Sequence, residues 1–286
     1  MAFQRILVTG AAGMLGRDLC DYLKAKGYTV LAGTRSTLDL LKTQDELDRT
    51  LEELQPEIIV HAAALTNVDQ AEREPELAMA VNKDGTRKLA LAAAKVGATL
   101  AYVSTDYVFD GAKGSLYTVD DRPNPINTYG LSKYYGELQV SELLDTYYIM
   151  RTSWVYGIHG RNFVDFVIQA AREGREIPVV TDWVGSPTWT GNLCATIEKV
   201  FLSGRFGIYH TADEGAVSRF DQAQAICRAA GLSPDHIRPV SGRELSLPAR
   251  RPDDTALDCS PLAVPSWKTS LQGYLAQYNS GYPVMG

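Results

Sequence analysis

Short apolar or β-branched runs alternate with longer helical patterns through the first half of the chain: RILVTG, then Met14 to Lys26, YTVLAGT, a segment near Asp45 to Leu54, EIIVHAAA, Lys83 to Val96, and TLAYVST. No other feature narrows the fold so far. Apolar strands joined by helices at this spacing build parallel crossover units, with helices covering both faces of one sheet. The expected class is therefore α/β, a Rossmann-type doubly wound parallel sheet. A helix from about Asn127 to Leu144 and the run TYYIMRT continue it. Beyond roughly Trp154 the texture changes to turn-rich segments, VYGIHGRN and DWVGSPTWTGN. Helices are expected there at Phe163 to Glu173, Leu193 to Leu202, Phe220 to Ala230 and Ser266 to Tyr278.

At 286 residues the chain can bury a sizeable core as one large domain, or as one domain with a smaller lobe. With 22% charged residues, a formal charge of -6 and no basic run, it is a poor fit to nucleic acid or an anionic membrane. The opening MAFQRILVTG runs almost directly into a strand, and no apolar run approaches the ~18 residues of a membrane span. The cytoplasm is the expected compartment. Cys20, Cys194, Cys227 and Cys259 form no C-x-x-C pair, and His61, His159, His210 and His236 lack the i, i+4 spacing of paired ligands. No metal is expected.

VTGAAGMLGRDL places Gly10, Gly13 and Gly16 between the first strand and the first helix. Glycines there let the backbone turn tightly and approach a pyrophosphate, which the amides of a helix N-terminus favour. The spacing is G-x-x-G-x-x-G, a variant typical of short-chain dehydrogenase/reductase proteins. About 20 residues on, LAGTRSTLDL carries Arg35 where an acid would grip the ribose of NAD. An arginine suits a 2′-phosphate, so NADPH is expected, with NADH possible; a surface arginine is the plain alternative. Asp39 follows and can touch adenine or ribose. At the mouth of the third strand, Ala62, Ala63, Ala64, Leu65 and Thr66 leave room for ribose and phosphate, although sheet packing also favours alanine. Residues 1–153 are thus expected to form a dinucleotide-binding domain. Residues 154–286 form mainly a smaller α/β substrate-binding lobe, with the helix near 191–203 returning to the first domain.

In INTYGLSKYYGE, Tyr129 and Lys133 stand four apart and share a helix face. An ammonium beside a phenol favours phenolate and draws its pKa toward neutrality. Such a tyrosine can give a proton to a carbonyl oxygen as hydride reaches the carbon. The spacing alone is common by chance. Its partner is YVSTDYVFDG, whose strand delivers Ser104, Thr105 and Asp106 to the carboxyl edge where open α/β sheets bind ligands. Thr105 can hold the carbonyl. Glycine turn, hydroxyl and Y-x-x-x-K in this order make a specific combination.

The blocks AAALTNVDQAEREPELA, STDYVFDG, NTYGLSKYYGE, RTSWVYG, GRNF and GSPTWT resemble the dTDP-4-dehydrorhamnose reductase family, an extended branch of the short-chain dehydrogenase/reductases. RRPDDTALD is a looser echo. The resemblance implies that Tyr129 is the proton donor, Lys133 its activator and ribose anchor, and Thr105 the carbonyl-orienting hydroxyl. It places Ala12, Gly13, Met14, Leu15, Arg35, Asp39, Leu40, Ala64, Leu65 and Thr66 around the cofactor. It sets Thr105 and Asp106 against the sugar, Trp154 along its face, and Arg251 at the pyrophosphate; an interdomain packing aromatic and a solvated arginine are the alternatives for the last two. A nucleotide sugar is the implied substrate and a homodimer a possible assembly.

The implied reaction reduces the 4-keto group of dTDP-4-dehydro-6-deoxy-L-mannose to dTDP-L-rhamnose. An epimerase, a 4,6-dehydratase or another keto-sugar reductase of the same fold is the near alternative. A dehydratase needs a further acid/base pair, and Tyr107 stands where such enzymes typically place a glutamate after the aspartate. A regulatory subunit like the β-subunit of methionine adenosyltransferase, which resembles the same family, is the alternative from another class.

Overall fold

Strands β1 (Arg5–Thr9), β2 (Thr29–Gly33), β3 (Ile58–His61), β4 (Thr99–Thr105) and β5 (Tyr147–Thr152) are separated by helices α1 (Met14–Ala25), α2 (Gln44–Leu54), α3 (Val68–Arg73), α4 (Pro75–Met79), α5 (Thr86–Val96) and α6 (Thr128–Leu143) in a computed structural model that describes residues 3–280. The outer ends of the two expected segments, residues 1–2 and 281–286, lie outside the described residues. Then come β6 (Val155–Tyr156), α7 (Phe163–Arg172), β7 (Ile177–Val180), β8 (Val184–Gly185), β9 (Thr188–Trp189), α8 (Thr190–Leu202), β10 (Gly207–His210), β11 (Val217–Ser218), α9 (Arg219–Ala229), β12 (Ile237–Val240) and α10 (Trp267–Asn279).

The main sheet has the order β10-β5-β4-β3-β1-β2, and every pair in it is parallel. This is the doubly wound sheet the alternation predicts. Strand order reverses at β1, which lies between β2 and β3, so a crevice opens at the carboxyl ends of β1 and β3.

The two faces of the sheet follow the period of two along each strand. Ile6, Val8, Ile58, Val60, Tyr148 and Met150 pack on one side with Leu19 and Leu23 of α1 and with Leu193, Ile197 and Phe201 of α8. Leu7, Ile59, Leu100, Tyr102 and Ile149 point to the other side, against Leu47, Leu51, Leu89 and Val140. A third core gathers Val164, Val167, Ile168, Ile226, Trp267 and Tyr274 in the later part of the chain. Two elements after Trp154, α8 and β10, therefore complete the main sheet layer. β10 follows Phe206 as a four-residue edge strand, too short to stand out in the sequence.

The helix expected from Lys83 begins differently. Ala80–Gly85 forms a π-type segment between α4 and α5, a distortion that recurs at functional sites. All four cysteines are buried free thiols. Among the described residues no helix is long and apolar enough to cross a membrane. No group of three His, Cys, Asp or Glu side chains there could hold a metal.

Candidate active site

Gly10 leaves β1 with φ +69°, and a Cβ on it would lie 2.8 Å from the Ala63 amide nitrogen. A Cβ on Gly16 would lie 2.1 Å from the Gly10 carbonyl oxygen, so the turn and α1 close only around glycine. α1 then starts at Gly13 with no side-chain cap and no acid in its first turn. Of the other helices, α2, α3, α6, α7, α9 and α10 carry a capping side chain, and α4, α5 and α8 do not. The first amides of α1 are left for an anion.

This turn forms one wall of a cavity of about 800 Å³ at the crevice. Gly10, Ala12, Gly13, Met14, Leu15 and Gly16 line it, as do Arg35, Asp39 and Leu40 after β2. So do Ala62, Ala63, Ala64 and Thr66, with Thr105, Asp106, Tyr129, Lys133 and Trp154. Arg35 is exposed at the rim, next to the hydroxyls of Thr34 and Ser36, which lie 2.8 Å apart. A cation flanked by hydroxyls suits a phosphate. Leu65 does not line the cavity. Its backbone is clamped instead by Asn82 of the π segment, whose Oδ1 accepts from the Leu65 amide at 2.8 Å and whose Nδ2 donates to the Leu65 carbonyl at 3.1 Å.

Asn82 is a site residue that sequence reasoning missed. Its Nδ2 also donates to Ser132 Oγ at 2.9 Å, and Ser132 donates to the Tyr129 carbonyl at 2.8 Å. A second chain supports it from below: the Ala63 amide donates to Thr9 Oγ1, which sits 2.7 Å from His61 Nδ1, while His61 Nε2 meets Thr86 Oγ1 and Thr86 donates to the Asn82 carbonyl. A neutral imidazole carrying its proton on Nε2 satisfies both contacts. Burial first, and then the Lys133 charge, push His61 down to about 3, which keeps it neutral.

α6 is brought against β4 by glycine. A Cβ on Gly130 would lie 2.0 Å from the Tyr107 carbonyl oxygen, so the start of the helix lies directly on the turn after Thr105. Asn127 caps it, accepting from the Gly130 amide at 2.8 Å and donating to the Arg250 carbonyl at 2.9 Å. This contact sets Tyr129 beside Thr105. The Thr105 hydroxyl stands between the Tyr129 phenol and the Asp106 carboxylate, to which it donates at 3.1 Å. Ser153 and Thr255 donate to the other Asp106 oxygen at 2.8 and 2.5 Å. The carboxylate expected to meet a sugar is thus held by three protein hydroxyls. Burial pushes its pKa up and those hydroxyls oppose it.

The expected pull of the ammonium on the phenol is not what the site shows. Burial pushes the Tyr129 phenol well above its ordinary value; the Thr105 hydroxyl works the other way, and the charges of Asp106 and Tyr107 add to the rise. Lys133 donates instead to the Val103 carbonyl at 2.8 Å and sits 3.9 Å from the Tyr102 ring centre. Burial lowers the lysine to about 7, and Glu137 pulls it partly back up. Glu137, one turn along α6, accepts from Ser104 Oγ at 2.6 Å and takes both Arg151 Nε and Nη2, at 2.9 and 2.7 Å. Spacing put Tyr129 and Lys133 on one face correctly; burial, which spacing does not encode, set the pKa values.

Trp154 has φ +46°, a left-handed backbone that a bulky residue adopts only when its surroundings enforce it. Two contacts do so. A Cβ on Gly185 would lie 2.6 Å from the indole, and the Arg219 guanidinium lies 3.5 Å from the ring centre on the indole. Arg219, the first residue of α9, is a second missed site residue. Arg251 lines a smaller adjoining cavity and is ion-paired with Asp69 at 2.5 Å.

The family described as RmlD substrate binding domain matches residues 4–280. A dTDP-4-dehydrorhamnose reductase of Mycolicibacterium smegmatis is 41% identical over 96% of this chain and 85% of its own length. A dTDP-4-keto-6-deoxy-D-glucose reductase of Streptomyces niveus is 38% identical over 88% of each chain. The crystal structure of the dTDP-4-dehydrorhamnose reductase of Bacillus anthracis in complex with NADP superposes with a TM-score of 0.92 at 38% identity, covering 96% of this chain and all of that one. A match through nearly the whole length, with relatives this similar, means that the chain belongs to the dTDP-4-dehydrorhamnose reductase family and is an oxidoreductase.

Proposed function

We propose that this protein reduces the 4-keto group of dTDP-4-dehydro-6-deoxy-L-mannose to give dTDP-L-rhamnose, using NADPH, with Tyr129 as proton donor. The observation that carries the reading is the convergence of the uncapped α1 turn, Tyr129, Lys133 and Thr105 on one cavity. The glycine cradle and the open amides of α1 fit a pyrophosphate, and Arg35 with Thr34 and Ser36 fits a 2′-phosphate. Bound there, NADPH supplies the hydride.

The remaining steps belong to the chain. Thr105, whose hydroxyl stands next to the phenol, orients the carbonyl oxygen by turning its one proton from Asp106 to that oxygen. Tyr129, kept neutral by burial, holds the proton that the new alkoxide needs and delivers it from Oη. Lys133, positioned by the Val103 carbonyl, anchors ribose. Asp106 acts through Thr105 by fixing its rotamer.

The relative from Streptomyces niveus, whose name carries a D-glucose-derived keto sugar, favours a second reading in which the sugar differs at its stereocentres while the chemistry stays the same. The test is to incubate the protein with NADPH and the L-manno keto sugar and identify the product by NMR. dTDP-L-rhamnose is expected; a product epimeric at C4, or turnover only with the D-gluco keto sugar, would replace the substrate assignment. Arg35→Ala run alongside should raise the KM for NADPH by about tenfold and leave NADH unchanged, in line with loss of one charge-assisted contact. Equal effects on both cofactors would remove Arg35 from the phosphate site.

A further inference from the structure

The main cavity and the smaller one of about 220 Å³ share four residues, Val68, Tyr107, Trp154 and Arg219. These form a neck between the chamber holding Tyr129 and a side chamber walled by Trp183, Val184 and Pro252. The neck adjoins Tyr129, whose ring centre lies 6.0 Å from that of Tyr107 in an edge-on contact.

The two arginines at this neck are held differently. Arg251, on the side-chamber wall, is taken up by Asp69 at 2.5 Å and by the Ala249 carbonyl at 2.6 Å. Asp106, behind the neck, is held by Thr105, Ser153 and Thr255. Arg219 has no carboxylate partner among the described residues. Of its five N–H donors, one is used, on Gln222 Oε1 at 3.0 Å. Its guanidinium lies over two rings, 3.5 Å from the Trp154 ring centre and 4.8 Å from that of Phe163. Stacked in this way it loses little further freedom when a ligand takes the remaining donors. Burial lowers its pKa to about 10, Tyr107 and the nearby Asp106 carboxylate pull it partly back up, and it stays charged at neutral pH.

From this geometry we infer that Arg219 is the diphosphate anchor of the nucleotide-sugar site: it grips the diphosphate at the neck, with the sugar toward Tyr129 and the base toward Trp183 and Val184, while Arg251 serves chiefly to tie its strap to Asp69. This rests on the nucleotide-sugar reading above. A planar fork with open donors suits two phosphates, and a doubly charged diphosphate can take the donors that Gln222 leaves open. Specificity for a nucleotide-linked over a free keto sugar then lies in this residue. The anchoring also explains the strained Trp154, which must stay flat under the guanidinium for the neck to keep its shape.

Quenching of tryptophan fluorescence by dTDP and by thymidine, measured on the full chain, tests the inference, because Trp154 and Trp183 flank the neck. Arg219→Gln should weaken dTDP at least about tenfold, a change of about 1.4 kcal/mol, and by more than Arg251→Gln does. Thymidine, which lacks the phosphates, should bind Arg219→Gln and wild type alike. Arg219→Lys, which keeps the charge and loses the fork, should recover part of the dTDP affinity, and dTDP binding by wild type should fall more steeply with salt than that of Arg219→Gln. In turnover the Gln variant should raise KM for the keto sugar far more than it lowers kcat. Wild-type affinity for dTDP in Arg219→Gln, or a larger loss in Arg251→Gln, overturns the assignment. A wild-type protein that binds neither dTDP nor the nucleotide-linked keto sugar overturns the nucleotide-sugar reading itself, which is a separate result.

Discussion

At the scale of the residue, the site is built from side chains whose charge state is set by burial. Lys133 shows the consequence most directly. Its pKa is lowered to about 7 in the folded protein against an ordinary 10.5. Between those values the unfolded chain binds the proton that the folded chain has released, so the lysine's contribution to stability grows as pH rises through this window and is lost as pH falls toward 7. Lys133→Met removes this slope. Urea unfolding at pH 7 and pH 9.5 should show wild type gaining stability relative to the Met variant at the higher pH; an unchanged difference would mean that Lys133 titrates normally. Activity should fall in the same variant, because the proposed ribose anchor is lost. That Tyr129, Lys133 and Thr105 share one cavity was legible from residue type, spacing and strand order, whereas the direction of the phenol's pKa was not, because burial sets it. Arg219 was not, since an arginine at the start of a helix in AVSRFDQ looks like any solvated charge until the fold lays it on Trp154.

At the scale of the element, the position of α6 decides whether the tyrosine reaches the threonine. Gly130 permits it, with its missing Cβ 2.0 Å from the Tyr107 carbonyl oxygen. Gly130→Ala should cost about 1–3 kcal/mol of stability by overpacking, and should lower kcat because Tyr129 is the adjacent residue. Stability within about 0.5 kcal/mol of wild type, inside the range of an ordinary surface change, would show that the helix start yields freely. The first-half strands and most helices were readable from period and glycine placement. The π segment Ala80–Gly85 was not, because its residues fit a continuous helix and only the tertiary demand on Asn82, bonded to Leu65 and to Ser132, explains the distortion. β10 escaped for a related reason: a four-residue edge strand is defined by its partner, β5, and not by its own pattern.

At the scale of the whole molecule, the later part of the chain covers the sheet it follows. Leu193, Ile197 and Phe201 of α8 lie on the face formed by Ile6, Val8 and Met150. A fragment of residues 1–153 would expose that face, along with the β5 edge that β10 covers. It should show expanded hydrodynamic radius, dye binding to apolar surface and no NADPH affinity; a compact fragment that binds NADPH would make the first 153 residues an independent domain. The same arrangement brings Trp154 and Arg219 of the later chain to the cavity that the α1 turn lines.

The proposed proton donor for reduction of a nucleotide-linked keto sugar is Tyr129. Its most direct test is the rate of NADPH oxidation with dTDP-4-dehydro-6-deoxy-L-mannose, wild type against Tyr129→Phe, with NADPH binding measured on both. Loss of about a hundredfold or more in kcat with cofactor affinity retained is the predicted result; a phenylalanine variant that oxidises NADPH at the wild-type rate would contradict it.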